Sequence, residues 1–177
     1  VLVFFDDAVA CNREFVRVLR DTGMEVLSVQ AGDSFYRLSD TEYTIASERR
    51  EDYELLIEDL TAREKFPDRI VHLWMVTEDE TTRPGSSFFH RNQERGFYSL
   101  LYLAQALGNE QRAKPLLISV VSNGMQQVAQ EAVPYPEKAT LLGPCKVMPR
   151  EYPGVLCKSI DIVPAEFLRR PRHSKAS

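Results

Sequence analysis

The sequence VLVFFDDAVACNREFVRVLRDTGMEVLSV, residues 1–29, determines the class of fold. Its first five residues form an apolar run rich in β-forming side chains, which is typical of a strand covered on both faces. Phe15, Val18 and Leu19 then recur at helical spacing. Gly23 follows, where a left-handed helix C-terminus is favoured, and EVLSV provides a second strand. The segment therefore predicts a strand, helix, strand unit, whose crossover is almost always right-handed.

The remainder of the chain continues this alternation. Residues 32–46 are less regular, and we interpret them as a small hairpin or an irregular excursion. We predict further strands at 69–76, 115–122 and 155–163, and helices from Arg50, at 88–108 and at 136–148. Strands that alternate with helices predict an α/β fold, with a mostly parallel sheet and helices on both faces. Ligands of such sheets bind beyond the carboxyl ends of the strands, so we expect any site in those loops.

Length and charge narrow the classes of function. A chain of 177 residues with 44% apolar residues predicts one domain with a substantial core. The net charge of −4 gives no basic field that would concentrate nucleic acid or anionic lipid, so neither partner is predicted. No apolar run is long enough to span a bilayer, and the first residues lack signal-peptide features. We therefore expect a cytoplasmic protein and, from the start without methionine, a piece of something longer.

Residue types that bind metals or form disulfides offer no site. His72 lies within a predicted strand and is expected to be a hydrogen-bonded core residue, while His90 and His173 have no companions at metal-ligand spacing. The cysteines are odd in number and lack CxxC pairing, so neither a disulfide framework nor a zinc site is predicted. We interpret the role of all three as structural or incidental: Cys11, Cys145 and Cys157.

The loop after the first strand argues against a nucleotide site. A dinucleotide needs glycines there, because the backbone must turn tightly and let the pyrophosphate approach the helix N-terminus. The loop reads FFDDAVACNRE, without glycine. Asp6 and Asp7 add negative charge where phosphates would lie, and each charge pair at about 4 Å costs on the order of 1 kcal/mol even in water. The simpler interpretation is that Asp7 or Asn12 caps the helix.

Serine and tyrosine later in the chain are the candidates for reductase chemistry. Such a reaction needs a tyrosine acid, a lysine that lowers its pKa and holds the ribose, and a serine that orients the carbonyl. Ser119 or Ser122 could be the serine, and Tyr135 the acid. However, Lys138 follows Tyr135 by three residues rather than four, and Pro136 disfavours helix at Tyr135. We interpret the serines as strand-end residues and Tyr135 as a loop or cap residue.

Five separated stretches of the chain resemble one family. They are GDSFYRLSDTEYTI, RREDYELLIEDL, DRIVHLW, RGFYSLLYLAQALG and LLGPCKVMPREYPGVLCKSIDI. From Val1 to about Val163 the chain resembles the N-terminal, structural half of the ketoreductase domain of modular type I polyketide synthases, and the matching half in related fatty acid synthases. Residues 164–177, with Arg169, Arg170 and Arg172, are then a basic linker or tail.

The resemblance implies a division of labour between two halves. The first half is a truncated Rossmann-like fold that has lost cofactor binding, and the second half carries NADPH and the catalytic residues. No catalytic, cofactor-binding or metal-binding residue is therefore expected in this chain. The implied partners are the catalytic ketoreductase subdomain, an adjacent enoylreductase or dehydratase, and an acyl carrier protein with its phosphopantetheine. The implied role is structural, within a multienzyme that extends and reduces β-ketoacyl chains, and the surface that faces the catalytic half should be apolar.

Two other functions remain open at this point. One is a free-standing short-chain reductase with an atypical site that uses Ser119 or Ser122 and Tyr135. The other is a binding module unrelated to reductases, whose exposed apolar patch meets another protein. Cofactor affinity distinguishes the reductase from the structural half. A large hydrophobic surface without a pocket would favour the binding module.

Overall fold

The computed structural model describes residues 1–78, 86–108, 115–127 and 133–164. The strands are β1 Leu2–Phe4, β2 Leu27–Ala31, β3 Tyr36–Arg37, β4 Glu42–Ile45, β5 Arg69–Met75, β6 Leu116–Asn123 and β7 Val155–Ile162. The helices are α1 Ala10–Asp21, α2 Arg50–Ala62, α3 Ser86–Asn92, α4 Ser99–Gly108 and α5 Leu142–Glu151. A π-helical segment, Gln93–Tyr98, joins α3 to α4, and a 3-10 segment, Pro136–Leu141, leads into α5.

The strands form one sheet in the order β3-β4-β2-β1-β5-β6-β7. Every pairing is parallel except that of β3 with β4. The chain builds outward from β1 through β2 to β4, and then returns to build the other half from β5 to β7. The prediction of a mostly parallel α/β sheet is confirmed. The order also places a topological switch point between β1 and β5, where ligands of such sheets bind.

The segment at 32–46 was only partly predicted. It contains the expected small hairpin, in which Tyr36 faces Thr44. Its second strand, however, is a main parallel strand of the sheet, because Ser28 to Ala31 pair with Glu42 to Ile45. The interpretation as an excursion was therefore wrong for β4. Four residues of mixed polarity are too short a pattern to identify a sheet strand by periodicity.

The core is divided unequally between the two faces of the sheet. On one face α2, α4 and α5 pack over the strands, and we call it the covered face. Its buried helix residues are Tyr53, Leu56, Ile57, Leu60, Leu100, Leu103, Ala104, Ala106, Leu107, Cys145 and Met148. On the opposite face, α1 is the one described helix whose side chains enter the core, through Cys11 and Val16. Helices lie on both faces, as predicted, but the coverage is uneven.

Part of the opposite face is open around β6 and β7, and we call this part the open face. Leu156 and Ile160 of β7 are 59% and 42% exposed, and Val163 follows them at 53%. Beside them lies a groove of about 140 Å³. Its apolar lining is Phe15, Leu73, Val76, Val121, Ile160 and Ile162. The sheet therefore presents apolar side chains to solvent at its β7 edge.

The structure of α1 confirms the predicted C-terminus of the helix and corrects the predicted apolar stripe. Gly23 has φ +80°, so it ends α1 in the left-handed conformation that was predicted. Val18, assigned to the apolar stripe, is 46% exposed, whereas Phe15 and Leu19 pack against the smaller core. The apolar stripe of α1 thus includes Phe15 and Leu19 but not Val18, so it is narrower than the sequence spacing predicts.

Some predictions fall outside the described residues. His173 and the tail arginines Arg169, Arg170 and Arg172 lie there, and so does most of the predicted linker. The boundary at residue 163 stays a prediction. No helix in the described ranges is long and apolar enough to cross a membrane. The cytoplasmic location remains a prediction from the sequence.

Candidate functional site

The carboxyl ends of β1, β5 and β6 meet at one edge of the sheet, where the fold places a dinucleotide. Two groups of side chains fill this edge. The first-loop group consists of Asp6, Glu78 and Arg95 around the N-terminus of α1. The lysine cluster consists of Thr77, Asn123 and Lys138 at the ends of β5 and β6.

The N-terminus of α1 is occupied by a carboxylate of the protein itself. Val9 is the N-cap residue, and its side chain makes no capping hydrogen bond. Instead, the Cys11 backbone N–H donates to Glu78 Oε1 at 3.2 Å, from the loop that follows β5. In a dinucleotide-binding domain this position receives the pyrophosphate, because free N–H groups and the helix dipole favour an anion. Glu78 thus takes the place that a phosphate would need.

Asp6 does not point freely into the edge of the sheet. Its Oδ1 accepts a hydrogen bond from the Ala8 N–H at 3.0 Å, and its Oδ2 forms a salt bridge with Arg95 Nη1 at 2.8 Å. Arg95 belongs to the π-helical segment between α3 and α4, and both side chains are partly buried. The salt bridge therefore ties the loop that follows β1 to the π-helical segment.

The predicted cap of α1 by Asp7 or Asn12 was wrong. The side chain of Asn12 is buried and donates to the backbone carbonyls of Asp6 and Leu73, at 3.4 and 3.5 Å. It ties the first loop to β5 rather than capping the helix. Asp7 accepts a hydrogen bond from Arg13 through its backbone carbonyl. The sequence pattern indicates only caps that are close along the chain, whereas Glu78 comes from a distant loop.

The lysine cluster lies beneath the ends of β5 and β6. Lys138 is fully buried, and its Nζ donates to Met75 O at 2.9 Å, Thr77 Oγ1 at 2.7 Å and Asn123 Oδ1 at 2.9 Å. The side chain of Asn123 also receives the Thr77 N–H at 2.9 Å and donates to Thr77 O at 2.9 Å. A buried ammonium is tolerated only when its donors are satisfied, and these oxygens satisfy them. Lys138 thus joins the ends of two neighbouring strands.

Tyr135 lies above the lysine cluster as a cap residue. It is the N-cap of the 3-10 segment with φ −132° and ψ 60°, so the prediction of a loop or cap residue, based on Pro136, is confirmed. Its N–H donates to Gly124 O at 2.9 Å, and the Lys138 ammonium lies 4.3 Å from its ring centroid. The spacing of three residues suits a 3-10 helix, where residues three apart share a face. Tyr135 and Lys138 do meet, but the ammonium is turned into the protein.

The two candidate serines point to opposite faces of β6. Ser122 is fully buried near the end of the strand, and its Oγ donates to Asp161 Oδ1 at 2.8 Å. Asp161 Oδ2 also accepts the N–H groups of Met125 and Gln126, so this carboxylate organises the turn after β6. Ser119 lies mid-strand, paired with Lys158 on the open face, and so is not a strand-end residue. The structure therefore brings Ser122, but not Ser119, to the candidate edge.

His72 is a core residue, as predicted. Its Nε2 lies 2.9 Å from Ser99 Oγ, and the ring packs against Phe4 and Trp74. Burial lowers the pKa of His72 to about 3, so the ring is neutral at physiological pH. Within the described ranges no three His, Cys, Asp or Glu side chains form a group that could hold a metal ion.

The class of domain follows from the sheet and its edge. The strand order β4-β2-β1-β5-β6-β7 is that of a Rossmann-like domain, and solved short-chain dehydrogenase/reductases share the fold. One from Vibrio parahaemolyticus superposes with a TM-score of 0.62 over 91% of this chain and 82% of its own, at 16% identity. No curated protein matches the chain by sequence.

The family is shown by a match over most of the chain. The model described as beta-ketoacyl synthase-like, N-terminal, matches residues 1–169, and the chain belongs to this family. It is similar to a structure of a keto acid-selecting NRPS module with adenylation, ketoreductase and pseudo-Asub domains, at 25% identity and a TM-score of 0.79 over 90% of this chain. An N-terminal ketoreductase from the macrolactin assembly line gives a TM-score of 0.71 over 91%, at 19% identity.

These findings confirm the resemblance to the N-terminal structural subdomain of polyketide synthase ketoreductases. The chain spans 13% of the NRPS module structure and 31% of the macrolactin ketoreductase.

Proposed function

We propose that this chain is a non-catalytic subdomain that packs against, and stabilises, the NADPH-dependent catalytic half of a polyketide synthase β-ketoreductase. The observation that carries the proposal is the edge of the sheet where a cofactor would bind. At that edge, the side chains of the first-loop group and of the lysine cluster contact other groups of the chain itself, in positions where a ligand would need them free.

The first-loop group disfavours a dinucleotide by charge and by space. A pyrophosphate would have to displace Glu78 from the N-terminus of α1 and would then lie beside Asp6. The loop has no glycine to let a phosphate approach the backbone closely. The cation beside Asp6 is Arg95, and it is already paired with that carboxylate. The loop therefore supports a domain that does not hold NADPH itself.

The lysine cluster disfavours catalysis at the same edge. A reductase lysine must present its ammonium to the ribose and to the tyrosine hydroxyl. In this chain the ammonium of Lys138 is directed to Met75 O, Thr77 Oγ1 and Asn123 Oδ1 in the interior. Ser122 is likewise committed to Asp161. These contacts support a structural use of residues that a reductase would use for chemistry.

We place the contact with the catalytic half on the open face. A parallel sheet occurs almost only with both faces covered, and here β6 and β7 leave Leu156 and Ile160 exposed beside an apolar groove.

In the parent multienzyme, NADPH is bound by the catalytic half, and the acyl chain arrives on the phosphopantetheine of a carrier protein. Where the module also carries an enoylreductase or a dehydratase, that domain is a further neighbour of the chain.

A cofactor titration tests this function. The 177-residue chain is titrated with NADPH to millimolar concentration, following nucleotide fluorescence, with an intact ketoreductase as the positive control. The Glu78→Gln variant is titrated alongside the unmodified chain, because it removes the carboxylate from the N-terminus of α1. We expect no saturation with the unmodified chain. Saturable micromolar binding would overturn the proposal, support the free-standing reductase and direct mutagenesis to Ser122 and Tyr135.

A second measurement tests the partner. The chain is co-expressed with the catalytic half of its parent, and both are purified by a tag on that half. We expect a one-to-one complex that melts at a higher temperature than either piece, because a partner that binds only folded protein stabilises it. Failure of the two halves to associate would contradict the structural role.

A further inference from the structure

The two edge strands of the described sheet, β3 and β7, are built differently. β3 is only two residues long, and Tyr36 and Arg37 are both exposed. β7 is eight residues long and keeps an unbroken parallel register with β6 from Val155 to Ile162. Sheets protect their edges with very short strands, proline, bulges or a covering element, because an open edge is a template for another strand. β3 is protected by its length, whereas β7 has no proline in its sequence and no bulge in its register.

The register shows which backbone groups of β7 face away from the sheet. The Leu116 N–H donates to Gly154 O at 2.9 Å, and Leu116 pairs with Val155. In a parallel ladder the even-numbered residues of β7 therefore direct their N–H and C=O groups to β6, and the odd-numbered residues direct theirs outward. The outward residues in the middle of the strand are Cys157, Ser159 and Asp161. No described residue forms a backbone hydrogen bond with these outward groups.

We propose that the outer edge of β7 accepts an extended strand of the catalytic half, which continues the sheet from one half into the other. The backbone of the added strand would bond to the outward N–H and C=O groups of β7. This inference rests on the function proposed above, because the occupant is a segment of that partner.

The side chains beside this edge indicate what the added strand carries. The even-numbered side chains of β7 lie on the open face, where Leu156 is 59% and Ile160 is 42% exposed. Between them Lys158 is exposed, and it takes part in none of the salt bridges among the described residues. Opposite side chains of neighbouring strands interact in pairs, so a strand with alternate apolar residues and a carboxylate opposite Lys158 would match. The β7 edge is also continuous with the open face, on which we place the contact with the catalytic half.

Lys158 disfavours a second copy of this chain as the occupant. Two β7 strands that pair about a two-fold axis centred on Lys158 place the two lysine side chains directly opposite each other, which is destabilising. An axis centred on Ser159 still leaves both lysines on diagonal positions of the same face. An acidic strand of the catalytic half has the opposite effect, because its carboxylate meets the ammonium.

Hydrogen exchange tests the strand pairing without any substitution. Amide exchange of the 177-residue chain is measured alone and in complex with the separately purified catalytic half. We expect the outward amides of Cys157, Ser159 and Asp161 to exchange at least about tenfold more slowly in the complex. The even-numbered amides of β7, which bond to β6 in both states, are the internal control and should change less. Outward amides that exchange at the same rate in both states would overturn the proposal.

A proline substitution tests the same edge through affinity. Ser159→Pro removes one outward N–H and leaves the ladder to β6 intact, because an edge strand accepts proline where the missing donor faces away from the sheet. Ser159→Ala is the matched control, since it keeps the N–H. We expect Ser159→Pro to weaken the complex by about tenfold and Ser159→Ala to bind as the unmodified chain does. Equal affinities of the two variants would contradict an added strand, and the exchange experiment decides the matter if Ser159→Pro does not fold.

Charge reversal tests the carboxylate that is expected opposite Lys158. Lys158→Glu should weaken the complex by about tenfold at low salt and by less at high salt. Lys146→Glu, at an exposed position on α5, is the control and should leave the affinity unchanged. An unchanged affinity of Lys158→Glu would overturn the choice of an acidic strand as the occupant.

The results separate this inference from the proposed function. A complex that leaves the outward amides of β7 unprotected would remove the added strand and retain the structural role of the chain. Absence of any complex with the unmodified chain would overturn both. A dimer of the chain alone that protects these amides, and that the catalytic half does not dissociate, would make a second copy the occupant and overturn the inference.

Discussion

The covered face and the opposite face of this sheet are built differently from the same strands. The covered face carries α2, α4 and α5, and its core includes the fully buried rings of Trp74, Tyr43 and Tyr53. The opposite face carries α1 alone among the described helices, and its core is smaller. At β7 it gives way to the exposed side chains of Leu156 and Ile160.

This difference separates self-sufficient packing from packing that needs a partner. Apolar side chains on the covered face are sequestered by the chain's own helices, so their burial stabilises the isolated domain. Those on the open face lose contact with water only when something else lies on them. The uneven coverage therefore indicates which face stabilises the domain and which face is available to another surface.

The largest expected effect comes from removing a leucine from each core. Leu103→Ala on the covered face should reduce the free energy of unfolding by about 4 kcal/mol, since Leu103 is fully buried. Leu19→Ala on α1 should cost only about 1–2 kcal/mol, because Leu19 is partly exposed. Urea denaturation measures both, and the exposed Leu55 offers a control. Equal losses for Leu103 and Leu19 would remove the energetic distinction between the faces.

A somewhat smaller loss is expected from the lysine cluster. Lys138→Ala should reduce the free energy of unfolding by about 3 kcal/mol, because it leaves buried oxygens of Met75, Thr77 and Asn123 without their donor. Lys146→Ala, an exposed lysine on the neighbouring α5, should change it by less than about 0.5 kcal/mol. A Lys138 variant as stable as the Lys146 variant would show that the ammonium has no structural role.

Acid should lower the free energy of unfolding through His72, which lies in the core of the covered face. The ring has a pKa of about 3 in the folded protein, against 6.5 for a solvated histidine, so the unfolded chain binds a proton first as the pH falls. Above about pH 6.5 the protonation of His72 has no effect on the free energy of unfolding. By pH 5 it should have lowered that free energy by about 2 kcal/mol. His72→Gln should remove this part of the pH dependence of urea denaturation. His90→Gln, at an exposed position, should retain it, and identical profiles for the two variants would contradict the buried neutral ring.

Much of the fold could be predicted from the sequence because its strands and helices are long and strongly periodic. The strands at 69–76 and 155–163 were predicted to within one residue of β5 and β7. The place of β4 in the main sheet was missed, because it depends on parallel pairing with β2 and not on the pattern of β4 itself. Local periodicity reports burial, but it does not report which neighbour a short strand will find.

The candidate edge was predicted less completely, for a related reason. The absence of glycine from the first loop and the presence of Asp6 are local features that the sequence shows directly. The roles of Glu78 and Arg95 depend on contacts across 67 and 89 residues, which no local motif encodes. Asn123 and Asp161 were missed in the same way, although an Asn or Asp at the end of a buried strand is a signal that could have identified them. The spacing of Tyr135 and Lys138 was noticed, but the inward direction of the ammonium depends on the strands beneath it.

The smallest effect on the isolated chain is expected on the open face, where the comparison bears most directly on function. Ile160→Ser should reduce the free energy of unfolding by less than about 1 kcal/mol, because Ile160 is already 42% exposed. It should nevertheless weaken the proposed complex with the catalytic half by about tenfold or more, since its side chain would lie within an apolar interface. Val147→Ser, on the outer surface of α5 and 51% exposed, is the matched control and should leave that affinity unchanged. Titration calorimetry with the separately purified catalytic half measures both variants. If Val147→Ser weakened the complex while Ile160→Ser did not, the contact would lie on the helices of the covered face, and the open face would have to be explained by another partner.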